Sequence, residues 1–147
     1  MTTSDENPFR ELKVSARDEG GVTVVSFAVR AQPRASRERI ELVVDGALKV
    51  ALTAVSALSK AEMSHNFVLL AKGTNVDAFA MDAAMARDNG YIPKAKASSI
   101  LAQTKLAGGG ETVEVTFNAP TEPGEYVYIC SFPGHYLGGT KGKLIVK

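Results

Sequence analysis

Apolar and polar side chains alternate along much of this chain with the period of two that half-buried β-strands require. The clearest case is "ALKVALTA" (Ala47–Ala54), where Leu48, Val50 and Leu52 fall on one face. Runs rich in β-branched residues predict further strands at Val22–Arg30 ("VTVVSFAVR"), Arg39–Val44 ("RIELVV"), His65–Ala71 ("HNFVLLA"), Glu111–Phe117 ("ETVEVTF"), Glu125–Cys130 ("EYVYIC") and Gly142–Lys147 ("GKLIVK"). Asp45-Gly46, set between two such runs, predicts a hairpin because both residues tolerate positive φ. The period changes once. In "NVDAFAMDAAMARD", Val76, Phe79, Ala80, Ala83 and Ala84 recur at helical spacing, with Thr74 or Asn75 placed as N-cap. Met81 and Met85, four apart on that helix, are expected to pack into the core rather than bind metal. Many short strands with one helical interruption predict an all-β sandwich rather than alternating βαβ units.

Composition narrows the picture without redrawing it. A chain of 147 residues, 45% hydrophobic and 22% charged, can bury one ordinary core and is expected to form one domain. Lys and Arg number 17 against 16 Asp and Glu, so no broad basic face is offered to nucleic acid. No apolar run approaches the roughly 18–20 residues that span a bilayer. The opening "MTTSDENPFREL" is polar and acidic, without the apolar centre of a signal peptide. "RASRER" (Arg34–Arg39) reads as a solvated loop, and "GGGE" (Gly108–Glu111) as a turn, since it lacks the Lys and following helix of a phosphate loop.

The residues able to do chemistry are few. Cys130 is the only cysteine, which rules out an internal disulfide and leaves metal, catalysis or burial. It ends a predicted strand, and Pro133 and Gly134 bend the chain so that His135 returns toward the sulfur. The other histidine, His65, opens a strand far upstream; if the two strands are neighbours, a thiolate and two imidazoles converge. Two His and one Cys with a weak fourth ligand suit copper cycling between its two oxidation states. A Cys–His pair could also be a nucleophile and its base. Cys130 ends a strand instead of beginning a helix, however, so no helix N-terminus activates the thiol or forms an oxyanion hole. The second histidine would also be idle, and no enzyme is expected. A copper storage or carrier module that does not shuttle electrons, and a metal-free structural domain, stand as the other readings.

"MSHNFVLLAKGT", "QTKLAGGGETVEVTF" and "PGEYVYICSFPGHYLGGTKGKLIVK" resemble the azurin and auracyanin branch of the cupredoxins, the blue copper proteins, from about Leu58 to Lys147. The resemblance implies a cupredoxin-like Greek-key β-sandwich with one short helical insertion and one copper ion held by His65, Cys130 and His135. It places the Ser64 carbonyl near the metal and puts Asn66, Ser131 and Phe132 around the ligands. It implies electron transfer through His135, with Phe132, Pro133, Tyr136 and Leu137 as a docking patch for small redox proteins such as c-type cytochromes, in a periplasmic monomer. In one respect the sequence departs from the pattern, since Thr140 stands where the weak axial methionine belongs. Upstream, "QPRAS" (Gln32–Ser36) and "DGALKVALTA" (Asp45–Ala54) resemble instead the YggU-like family of small bacterial domains over about Val22–Ala54, which would make the chain a hybrid with atypical opening strands at 21–55.

Overall fold

The fold is that of a computed structural model, which describes residues 15–19, 22–26, 36–43, 47–55 and 57–146, with side chains from Ala47 onward. Among the described residues nine strands and one α-helix run in the order β1 (Ser15–Glu19), β2 (Val22–Ser26), β3 (Ser36–Val43), β4 (Ala47–Ala54), β5 (Val68–Leu70), α1 (Val76–Met85), β6 (Ile100–Gln103), β7 (Thr112–Asn118), β8 (Gly124–Ile129) and β9 (Lys141–Val146). Short 3-10 segments at Arg87–Asn89 and Lys94–Ser99 join α1 to β6. Besides a β1–β2 ribbon there are two sheets, ordered β3-β4-β7 and β6-β5-β8-β9.

The alternation in β4 is what joins the sheets. Leu48, Val50, Leu52 and Ala54 are buried while the residues between them are half-buried. They meet Leu69 of β5, Tyr126 and Tyr128 of β8 and Leu144 of β9 in one cluster, so the two inner faces form a sandwich core. Each fully buried Leu or Val there stabilises the fold by roughly 1.5–3 kcal/mol. The β3–β4 hairpin forms in antiparallel register with Val43 opposite Ala47; its Asp45-Gly46 turn lies outside the described residues, as do residues 27–30. Ser36–Arg39 belong to β3, opposite Ala51–Ala54, and not to a loop. A long partner strand extends the ladder into a stretch whose charges alone suggest a solvated loop.

On the other face of the second sheet, Val68, Leu70 and Ile129 pack against Phe79 and Ala83 of α1. Asn75 caps this helix, its Oδ1 accepting from the Ala78 N–H at 3.0 Å. Met81 and Met85 are 73% and 87% exposed, so the expectation of core packing is corrected. They lie two residues beyond Phe79 and Ala83, about 200° round the helix, and the face opposite the buried pair points to water. The strands also differ from the expectation, which had no β1 and no β6. Only Val68–Leu70 of the predicted His65–Ala71 strand is regular, and β6, where Ala102 alone is buried, carries too weak an alternation to announce itself.

Candidate metal centre

β5 and β8 are antiparallel neighbours, with Val68 opposite Ile129 and Leu69 opposite Tyr128. The residues before β5 and those after β8 therefore meet at one end of the sheet, which brings His65 to Cys130. His65 is fixed by a two-way backbone bridge to Ala107, its N–H donating at 2.9 Å and its carbonyl accepting at 2.7 Å. Beyond Cys130 the chain makes a compact loop closed by the pairing of Ile129 with Lys141. Within it the Cys130 N–H donates to the Thr140 carbonyl (3.1 Å), the Thr140 N–H to the His135 carbonyl (2.9 Å) and the His135 N–H to the Phe132 carbonyl (3.1 Å). Gly134 and Gly139 take φ of 81° and 97°, left-handed values that keep this winding compact without Cβ strain.

The outcome is that all three predicted residues come together. Cys130 Sγ lies 3.3 Å from His135 Nδ1, the His65 and His135 rings stack with centroids 4.6 Å apart, and one donor atom from each residue lies within 4.8 Å of the others. Asn66 bonds to Cys130 and to the residue that follows it, Ser131. Its backbone N–H points at Sγ (3.5 Å), its side-chain amide donates to Ser131 Oγ (2.8 Å) and its Oδ1 accepts from the Ser131 N–H (2.8 Å). Phe132 packs 4.9 Å from the His135 ring. Ser64 is buried and its hydroxyl donates to the Lys60 carbonyl. Thr140 holds the loop through its backbone.

The surroundings suit a metal better than a proton. His65 is 1% exposed, and neither of its ring nitrogens has a hydrogen-bond partner. Burial, with a smaller contribution from the neighbouring His135, lowers its pKa to about 4; burial alone lowers that of His135. Two neutral imidazoles thus offer lone pairs beside a buried thiol. An orphaned buried nitrogen is costly unless something completes its bonding. Thiolate and imidazole donors fit copper, and oxygen-seeking cations fit them poorly.

Local sequence gave no sign of three further contacts. The Tyr91 ring meets Phe132 edge-on at 5.1 Å, and Tyr91 is the one non-glycine residue of positive φ (61°) among the described residues. The Tyr136 hydroxyl donates to Asp77 Oδ1 at 2.6 Å, which raises the phenol to about 12, and the Lys141 ammonium sits 4.6 Å from the Tyr136 ring centre. Pro133 and Leu137 are exposed, Leu137 at 87%, while Phe132 and Tyr136 are half-buried.

This fold, with its two imidazoles and one thiol gathered at the end of a sandwich, defines the chain as a cupredoxin. The family described as "Copper binding proteins, plastocyanin/azurin family" matches residues 39–147, and the chain belongs to it. Auracyanin-B of Chloroflexus aurantiacus is 44% identical over 85 residues, which make up 57% of this chain and 36% of that protein. Azurin of Achromobacter denitrificans is 43% identical over 103 residues, 65% of this chain and 67% of its own length. A solved auracyanin B structure superposes with a TM-score of 0.58 at 37% identity, covering 69% of this chain and 70% of its own. The chain thus spans about a third of auracyanin-B and two thirds of the azurin. The family match begins at residue 39 and takes in β4 and most of β3, strands that the YggU-like resemblance had claimed. Nothing in the comparisons supports a hybrid origin for that hairpin.

Proposed function

We propose that this protein is a type 1 blue copper protein that passes single electrons between redox partners, with His65, Cys130 and His135 as the copper ligands. A copper ion held there would supply one-electron chemistry through its Cu(I) and Cu(II) states. The protein's own part is to keep the donors from rearranging. The Ala107 bridge fixes His65, the Asn66–Ser131 pair fixes the chain beside the sulfur, and the closed loop fixes His135. The observation that carries the reading is the convergence of the three donors around a buried imidazole whose nitrogens have no other partner.

Thr140 would stand near the copper in place of a thioether, with the Ser64 carbonyl as another group beside it. His135, half-buried at the loop, is the group through which electrons would enter and leave. Pro133 and Leu137 beside it would form a small dry contact for a partner such as a c-type cytochrome. Encounters of this size dissociate quickly, as a shuttle needs. The reading makes the protein a periplasmic monomer and a carrier rather than an enzyme; a further relative, outer membrane protein H.8 of Neisseria meningitidis, 42% identical over 77 residues, supports a place outside the cytoplasm. Any YggU-like ancestry would be confined to the segment before residue 39 and would leave the site untouched.

Titration of the reduced metal-free protein with Cu(II) tests the assignment. We expect one equivalent bound and an intense visible thiolate-to-copper band that is lost in Cys130→Ala. A silent wild type, or a band that survives Cys130→Ala, would refute it. Rapid electron exchange with a c-type cytochrome, slowed in His135→Gly, separates the shuttle from a copper store.

A further inference from the structure

We infer that Asp77 is a positioning residue for His135: it accepts the Tyr136 hydroxyl and so ties the ligand loop to α1. The inference rests on the electron-carrier reading for its functional meaning and on the fold for its geometry. Of the three donors, two are set by the sheet. His65 is bridged to Ala107 three residues before β5, and Cys130 directly follows β8. His135 is different. It sits at the middle of a loop of turns, and its backbone bonds run to Phe132 and Thr140, within the loop itself. Such a loop opens locally, its turn bonds breaking together, at lower cost than the strands it joins.

Beyond the Asn66–Ser131 bonds at the start of the loop and the packing of Tyr136 against the Val68–Ile129 cluster, two contacts oppose that opening. One is the edge-on packing of Tyr91 against Phe132. The other is the 2.6 Å bond from Tyr136, the residue next to His135, to the first turn of α1 across 59 residues of sequence. A short hydroxyl-to-carboxylate bond is charge-assisted and directional. The helix that receives it is itself seated on the metal-bearing strands, since Phe79 and Ala83 pack against Val68, Leu70 and Ile129. Ile129 immediately precedes Cys130. The tether therefore refers His135 to the same rigid base that holds the sulfur. The Lys141 ammonium over the Tyr136 ring adds a second restraint on that side chain, from the other end of the loop. Holding an imidazole at fixed distance from a thiolate through a change of oxidation state is what rapid electron exchange demands.

The test compares Tyr136→Phe, Asp77→Ala, Asp77→Asn and the double variant Tyr136→Phe/Asp77→Ala. In metal-free protein, hydrogen exchange of the His135, Gly138 and Thr140 amides is read by NMR. We expect it to quicken about tenfold in Tyr136→Phe and in Asp77→Ala, with no further gain in the double variant, because both remove one bond to a charged group. Asp77→Asn keeps an acceptor oxygen but not the charge, and should fall between wild type and Asp77→Ala, at about threefold. In the copper-loaded protein, self-exchange between oxidised and reduced forms should slow in the same order. Unchanged loop exchange in Tyr136→Phe, or Asp77→Asn as disturbed as Asp77→Ala, overturns the proposal, the second by making charge and not the bond responsible. Variants that lose thermal stability while loop exchange and self-exchange stay at wild-type values overturn it too. A wild type without the visible copper band defeats the electron-carrier reading alone, since loop exchange is measured without metal.

Discussion

The imidazoles of His65 and His135 lie face to face, their centroids 4.6 Å apart and their planes inclined by 26°. Rings so close cannot both carry a proton without repulsion, and burial opposes the charge on each. Folded His65 takes up a proton only near pH 4, whereas the unfolded side chain does so near 6.5. Between those values the unfolded state binds more protons, so stability rises with pH across this window and is lost as pH falls through it. We expect the metal-free protein to lose about 3 kcal/mol from this one residue between pH 6.5 and 4. Urea unfolding at several pH values measures the slope. His65→Leu should flatten it and raise stability at pH 7, because two unpartnered nitrogens disappear.

Asn66 offers a separate test of the frame around the sulfur. Asn66→Leu keeps the shape but abandons the Ser131 N–H and hydroxyl in a buried place. The expected cost is about 2–4 kcal/mol, seen as a lower urea midpoint with an unchanged m-value. The backbone N–H directed at Cys130 remains, so the visible copper band should persist.

The site and the fold were legible to different depths. His65, Cys130 and His135 could be picked out because the chain has no other residues of their kinds, and their meeting needed only that β5 and β8 be neighbours. β4 was legible because one of its faces is buried along its whole length. β6 was not, since pairing with β5 is a long-range fact that leaves little local periodicity in four residues. Met81 and Met85 misled for a related reason: a spacing of four puts two residues on one face of a helix without saying which face is inward. The Asp77–Tyr136 bond joins residues that no local pattern relates.

The proposed site puts Thr140 where the resemblance expects a methionine. Thr140→Met should keep copper affinity within an order of magnitude, shift the reduction potential by tens of millivolts and alter the ratio of the visible bands, because a soft thioether donates to copper where a hard hydroxyl donates poorly. An unchanged potential and spectrum would place the axial direction elsewhere on the loop.

Gly142 faces Tyr128 across the β8–β9 ladder, and a Cβ there would fall on the phenol ring and its hydroxyl. Gly142→Ala should therefore destabilise the protein by about 1–3 kcal/mol, the usual cost of overpacking, in thermal or urea unfolding. Since Tyr128 also meets Phe67 at 5.2 Å, two residues from His65, copper affinity should fall along with stability.

The closure of the ligand loop by Ile129 and Lys141 has a consequence for how such a centre can change over time. Cys130, His135 and Thr140 all lie between two adjoining strands whose ladder ends at that pair. Most of the proposed coordinating chemistry is therefore carried by one contiguous cassette on a scaffold that supplies His65 and the Ser64 carbonyl beside it. Exchange of that segment, in a genome or at the bench, could re-specify metal preference and potential in one step while the sandwich beneath it went unaltered.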